Sequence, residues 1–93
     1  MPAADDFARF AAAAAAAGYE ETLVRNWPAD AVVAEHTHPF AVRACIVAGE
    51  MWLTIDGQTR HLGIGDEFSL PAEAIHAERY GWCGATYWVA RRH

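Results

Sequence analysis

The feature that most constrains the fold is a series of short alternating segments, divided by turn residues, that fills the chain from residue 19 onward. β-Branched and aromatic residues are frequent in these segments, and apolar side chains recur at every second position, which indicates β-strands. Asp56-Gly57 is typical of a type I′ turn, so residues 51–62 are predicted to form a hairpin. Gly49 and the segment 81–84 are interpreted as breaks between strands. The other predicted strands are 21–27, 32–38, 43–47, 67–70, 75–80 and 85–91.

Seven or eight short strands at near-regular spacing predict an all-β fold, a closed or sandwiched antiparallel barrel over about residues 20–91. One N-terminal helix is predicted before it, at 5–17, where two aspartates favour a helix start and Gly18 is typical of a helix end. Phe7 and Phe10 lie on one face of this helix, so we expect it to pack on the barrel or on a partner. The sequence shows no repeat and no linker, which predicts a single domain over 1–93.

The charge of the chain excludes two classes of partner. Asp and Glu number 12 against 7 basic residues, all of them arginine, which gives a net charge of -5. No basic stripe is present, so we expect no binding to nucleic acid and no binding to an anionic membrane. The longest apolar run is Phe10 and the seven alanines after it, far too short to span a membrane, and the two cysteines, Cys45 and Cys83, fit reduced thiols. We therefore predict a cytoplasmic protein.

The composition limits the size of the hydrophobic core. Hydrophobic residues make up 54% of the chain, but 21 of the 93 residues are alanines, which bury little area. A domain of this size buries only roughly 60 to 65% of the surface that its unfolded chain exposes. A partner subunit or a bound metal would add stability, so we predict a homodimer.

His36 and His38 are the first candidate functional residues. They are two residues apart, which on a strand places both imidazoles on the same face. Pro39 favours an extended conformation for His38 and therefore supports the strand. Two imidazoles on one face can clamp a metal that takes one or two more ligands from elsewhere. Such pairs also occur by chance on solvent-facing strands.

Two segments resemble the two motifs of the cupin superfamily. The first is 36–50, HTHPFAVRACIVAGE, in which His36 and His38 match the metal-binding pair and Gly49 falls one residue early. The second is 65–76, in which the matching positions are Gly65, Pro71 and His76.

The resemblance covers about residues 30–91 and implies a small antiparallel jelly-roll barrel. It implies one divalent transition metal, Zn, Fe, Ni or Cu, held inside the barrel by His36, His38 and His76. The sequence departs from the family at the metal-binding glutamate, where it has Arg43, so the site resembles that of the three-histidine cupins. A barrel that kept the fold and holds no metal is the alternative interpretation.

Four further residues are predicted to face the interior. Alternation places Glu78 and Tyr80 on the side of His76, and Cys45 on the side of Arg43. An arginine and a glutamate inside a barrel are costly unless they are paired or bound to something. Either Arg43 and Glu78 form a buried ion pair, or Arg43 binds an anionic substrate while Glu78 acts as a fourth ligand or a general base. Cys45 is interpreted as a small apolar residue, or alternatively as a soft ligand or a redox-sensitive thiol.

The function predicted on this basis is that of a metal-binding cupin that binds or acts on a small anionic molecule. Arg43, Cys45, Glu78 and Tyr80 are the candidate substrate-binding residues. As an enzyme, the chain would be a metal-dependent oxygenase or isomerase of the cupin type. The alternative is a non-catalytic module that binds or senses a small molecule or a metal, with or without a bound metal. The fold does not decide between them, because one scaffold supports many reactions.

Overall fold

A computed structural model describes residues 4–93, so the first three residues of the predicted domain 1–93 lie outside it. One helix precedes six strands in the described part of the chain. In chain order they are α1 Ala4–Ala16, β1 Glu21–Trp27, β2 Val32–His36, β3 Ala41–Ile55, β4 Gln58–Leu62, β5 Glu67–Leu70 and β6 His76–Arg92.

All strand pairs are antiparallel, and the two longest strands, β3 and β6, organise the sheet. The first half of β6 pairs with β2 and with the second half of β3, which also pairs with β4. The second half of β6 pairs with β1 and with the first half of β3, which also pairs with β5. The two long strands therefore run through both parts of the barrel, which confirms the predicted antiparallel β fold with one helix.

The prediction that Gly49 and residues 81–84 separate strands is wrong. β3 and β6 continue through these positions, with register shifts between Ile46 and Ala48 and between Gly49 and Met51. Gly49 has φ 71° and Gly84 has φ 69°, values in the left-handed region that favours glycine. The glycines therefore allow each strand to bend at a β-bulge, and β3 and β6 remain paired on both sides of the bulge. Six strands, two of them long, replace the seven or eight predicted.

The predicted hairpin is confirmed. Ile55 pairs with Gln58, which leaves a loop of two residues. Both of these, Asp56 at φ 51° and Gly57 at φ 75°, have the positive φ that a type I′ turn requires.

The core lies between the two parts of the sheet, and the helix covers the outside. The largest fully buried side chains of the core are Tyr80, Ile46, Met51, Leu53 and Leu62. On the outer surface, the rings of Phe7 and Phe10 lie 5.4 Å and 5.9 Å from the ring of Trp88, and Ala14 is buried below them. α1 thus packs on β6 through the apolar face expected from its sequence.

Candidate metal centre

The fold brings three histidines together at one end of the barrel. His36 is the last residue of β2, and it pairs directly with His76, the first residue of β6. His38 follows two residues after the end of β2, and its ring lies 4.7 Å from the ring of His76. One ring nitrogen of each histidine lies within 4.8 Å of those of the other two. Strand pairing therefore places the third histidine beside the pair, as the motif spacing implied.

Backbone carbonyls orient two of the three rings. Nδ1 of His36 lies 2.8 Å from the carbonyl oxygen of Ala34, and Nδ1 of His76 lies 2.9 Å from that of Ala74. A carbonyl oxygen can only accept, so each Nδ1 carries the proton and donates it. The lone pair of a neutral ring is then on Nε2, and the hydrogen bond fixes the direction in which Nε2 points. This is the arrangement that proteins use to orient metal-binding imidazoles.

Glu78 faces the same nitrogens. Its Oε2 lies 3.5 Å from Nε2 of His36 and 3.6 Å from Nε2 of His76, and its side chain is 8% exposed. The hydroxyl of Tyr80 donates a hydrogen bond to Oε1, and the hydroxyl of Tyr87 lies 3.5 Å from the same oxygen. The predicted inward orientation of Glu78 and Tyr80 is thus observed. Tyr80 reaches the histidines only through Glu78.

The two tyrosines are held in their neutral, donating form. Burial, the neighbouring Tyr87 and the hydrogen bond to Glu78 raise the pKa of Tyr80 far above its ordinary value. Burial, followed by the charge of Glu78, also raises the pKa of Tyr87. Nε1 of Trp27 donates to the Tyr87 hydroxyl at 3.0 Å, which extends the network away from the histidines. A carboxylate supported by hydroxyl donors keeps its charge inside the barrel at a lower cost.

His38 is favoured in its neutral form. Burial lowers the pKa of His38, and the neighbouring His76 and His36 lower it further. Its ring also stacks on Phe40 with a distance of 4.6 Å between ring centroids. The neutral form is the one that can ligate a metal.

A cavity of about 150 Å³ adjoins the histidines. The three histidines and Glu78 form part of its wall, and Arg25, Arg91, Trp27 and Tyr87 contribute further polar and aromatic groups. The rest of the wall is apolar: Val33, Phe40, Val42, Phe68, Leu70 and Val89.

The predicted inward orientation of Arg43 and Cys45 is wrong. In the first half of β3 the residues of the core cluster are Val42, Ala44 and Ile46, and these alternate along the strand with Arg43 and Cys45. Arg43 therefore points to the other face, where its Nε lies 3.9 Å from Oε1 of Glu67, and it forms no ion pair with Glu78.

Cys45 lies on the outer face as well. It pairs across the sheet with Trp88 on one side and Glu67 on the other. Burial, and then the charges of Glu67 and Asp66, raise the pKa of its thiol. Neither Arg43 nor Cys45 belongs to the cavity wall.

Sequence reasoning missed Arg25 and Arg91. A signal was present in the spacing. Arg25 is two residues from Leu23 and from Trp27, and Arg91 follows Tyr87 and Val89 at the same spacing, so each arginine shares a strand face with apolar residues. An arginine in register with apolar side chains on one face of a strand indicates an inward guanidinium.

The fold and the histidine cluster define the protein as a small cupin domain. Residues 18–89 match the model of the AraC-like ligand-binding domain, so the chain belongs to this cupin-type family. The resemblance drawn from the two motifs is thereby confirmed. No curated protein is detectably similar in sequence.

Solved structures show the same fold. The cupin domain of Cnp3 from Schizosaccharomyces pombe has a TM-score of 0.70 and 16% identity, over 76% of this chain and 50% of that one. The DMSP lyase DddQ from Ruegeria pomeroyi DSS-3 has a TM-score of 0.71 and 30% identity, over 77% of this chain and 37% of that one. An RmlC-like cupin from Shewanella frigidimarina NCIMB 400 has a TM-score of 0.69 and 20% identity, over 82% of this chain and 68% of that one. The chain thus spans half the length of the first and little more than a third of the second.

Proposed function

We propose that this chain is a metal-binding cupin domain in which His36, His38 and His76 hold one divalent transition metal, Zn, Fe, Ni or Cu. The observation that carries the proposal is the convergence of three histidine nitrogens within 4.8 Å of one another. The two Nδ1 bonds to backbone carbonyls support it, because they leave Nε2 as the donor of His36 and His76. Three imidazoles with open positions suit any of these metals.

Glu78 is proposed as the fourth ligand. Its Oε2 is at similar distances from two Nε2 atoms, so it offers the metal-binding carboxylate that the sequence lacks at position 43. Tyr80 and Tyr87 hold its other oxygen and keep the carboxylate aimed at the histidines. A bound divalent metal would supply Lewis acidity toward an oxygen of the ligand. The apolar part of the cavity wall limits the access of water to that ligand.

We propose that the ligand of the cavity is a small anionic molecule. Arg25 and Arg91 support this, because their guanidinium groups line the same cavity as the histidines. The catalytic form of the proposal is supported by the 30% identity with a DMSP lyase. Ligand binding without turnover is the second candidate function, and membership of a ligand-binding family favours it. Incubating the metal-loaded protein with candidate carboxylates and following product by NMR separates the two.

The metal centre is tested by elemental analysis of protein purified without a metal-affinity tag. We expect about one metal per chain, and loss of the metal in His38→Ala and His76→Ala. The melting temperature should fall with the metal, because a ligand that binds only the folded chain stabilises it. His61→Ala is the matched control, since His61 is exposed on β4 and lies 2.9 Å from Glu50. A variant lacking all three cluster histidines that keeps as much metal as the parent would disprove the site.

We also propose a homodimer in the cytoplasm. The homodimer is supported by large apolar side chains on the surface, such as Trp82 at 77% exposure and Val32 at 73%. Light scattering that gives the mass of a single chain would contradict it. The cytoplasmic location is supported by two free thiols, Cys45 and Cys83. Within residues 4–93, no helix is long and apolar enough to cross a membrane.

A further inference from the structure

The cavity beside the histidines carries two arginines that the proposed metal centre does not use. Arg25 is on β1 and Arg91 is on β6, and these strands are neighbours in the sheet. Arg25 lies directly opposite Tyr87, four residues before Arg91 along β6. Glu78 is the one carboxylate among the lining residues, and it already faces the histidines. Among the lining residues themselves, two arginines therefore face one carboxylate.

Arg91 is held in place but keeps hydrogen-bonding capacity. Its Nη1 donates to Oε1 of Glu21 at 3.0 Å, and its Cζ lies 4.7 Å from the centre of the Phe40 ring. Its Nε is buried and has no hydrogen-bond acceptor within the described part of the chain. A buried donor without an acceptor is unfavourable, and a carboxylate that reached it would remove that cost. The Nε edge of a guanidinium is one of the edges from which a carboxylate accepts two hydrogen bonds.

Arg25 is also fixed by an aromatic ring. Its Cζ lies 5.0 Å from the centre of the Trp27 ring, within the range of a cation–π interaction. Trp27 is itself held by the hydrogen bond to Tyr87 at 3.0 Å. The guanidinium is thus positioned before any ligand arrives, which lowers the entropy lost on binding.

The size and the apolar wall of the cavity restrict the ligand further. A volume of about 150 Å³ is that of an engineered cavity known to bind benzene, so the ligand body contains roughly six to nine non-hydrogen atoms. Phe40, Phe68, Leu70 and Val89 offer it an apolar surface. This apolar part of the wall offers few hydrogen-bond partners to a sugar or another polyhydroxylated molecule.

We infer that Arg25 and Arg91 form a carboxylate-binding subsite, and that the ligand is a small carboxylate with a compact apolar body. This inference rests on the proposed function, because it assigns the ligand class of the same cavity. It moves the anion-binding role from Arg43, which faces outward, to two arginines on β1 and β6. Phe40, which contacts both His38 and Arg91, places the subsite next to the metal centre.

The test is a calorimetric titration of the protein with benzoate and isovalerate, and with benzamide as the uncharged counterpart of benzoate. We expect benzoate to bind and benzamide to bind at least about tenfold more weakly, since the amide loses the charge-assisted hydrogen bonds. Arg25→Gln and Arg91→Gln should each weaken benzoate binding by about tenfold or more. Arg43→Gln is the matched control, which removes the same charge from the outer face and should leave the affinity unchanged. Equal binding by all four proteins would overturn the subsite, as would no binding of either carboxylate to the parent.

A second measurement detects binding in the parent protein and uses variants only to assign resonances. The Nε–H resonances of the arginines are observed by NMR in the parent protein, with Arg25→Lys and Arg91→Lys used to assign them. Benzoate should shift the resonances of Arg25 and Arg91 and leave that of Arg43 in place. Absence of any shift at the highest soluble benzoate concentration would overturn the subsite.

The same samples separate this inference from the proposed metal centre. Each titration is run on metal-free and metal-loaded protein, and the metal content is measured in each. Carboxylate binding by a protein that takes up no metal contradicts the metal centre alone. Full metal loading without carboxylate binding contradicts the subsite alone.

Discussion

The two halves of β3 use opposite alternation to face the same core. In the first half the residues of the core cluster are the even-numbered ones, 42, 44 and 46, and in the second half they are 51 and 53. The register shifts on either side of Gly49 separate the halves. β6 behaves in the same way. Before Gly84 the residues that face inward are 76, 78 and 80, and after Gly84 they are 85, 87 and 89. A bulge therefore decides which side chains reach the site, and alternation holds only as far as the next bulge.

The largest effect is expected where the two bulges meet. A Cβ on residue 49 would lie 2.1 Å from the carbonyl oxygen of Gly84, and the φ of 71° is strained for any residue with a side chain. The left-handed conformation alone costs about 1–2 kcal/mol, and moving the backbone of β6 adds to it. Gly49→Ala should therefore lower the free energy of unfolding by more than about 3 kcal/mol in a urea titration.

Gly57→Ala is the control for this substitution. Gly57 has nearly the same φ, 75°, but a Cβ there would meet nothing within 4 Å. It should cost only the conformational part, about 1–2 kcal/mol. Equal losses in the two variants would show that the contact between the two bulges does not constrain the fold.

The sequence predicts those parts of the fold in which a strand lies between clear turn residues. β1 and β5 have the predicted bounds, 21–27 and 67–70, because Pro28 and Pro71 follow them directly. The three histidines could also be found, because the spacing of His36 and His38 predicts that they face the same way and the motif spacing adds the third, although β2 ends at His36. The sequence does not predict that β3 continues through Gly49. A glycine at a bend inside a strand and a glycine at the end of a strand have the same local sequence.

The residues predicted to bind substrate show the same limit. Glu78 and Tyr80 lie in one uninterrupted stretch of β6 with His76, so alternation placed them correctly. Arg43 is separated from the strand of His36 by residues 37–40, where the chain leaves β2 and enters β3. No alternation can be carried across such a connection, and the face of Arg43 is set instead by the burial of Val42 and Ala44.

A smaller effect is expected for the hydroxyl that holds Glu78. Tyr80→Phe keeps the ring, which stacks on Trp27 at 5.1 Å, and removes the hydrogen bond to the buried carboxylate. A hydrogen bond to a charged group contributes about 1.5–3 kcal/mol, and thermal unfolding of the metal-free variant should show a loss of that size. Tyr19→Phe is the control, because Tyr19 packs against Arg92 at 5.3 Å outside the cavity and should change stability by less than about 0.5 kcal/mol. An unchanged unfolding free energy in Tyr80→Phe would mean that water replaces the hydroxyl, and that the inner end of β6 is more open than its burial indicates.

The smallest expected effect is a difference in reactivity between the two cysteines. It tests whether Cys45 lies on the outer face of the first half of β3. The thiolate is the form that reacts with alkylating reagents, and burial and two nearby carboxylates raise the pKa of Cys45. Cys83 is exposed, so the reagent reaches it freely. With iodoacetamide near pH 8, mass spectrometry should therefore show Cys83 modified first and Cys45 at least about tenfold more slowly. Removing the nearer carboxylate by Glu67→Gln should lower the pKa of Cys45 and speed its modification while leaving Cys83 unaffected. If Glu67→Gln leaves the rate at Cys45 unchanged, then Cys45 does not lie beside Glu67, and the assignment of Arg43 and Cys45 to the outer face of β3 is contradicted.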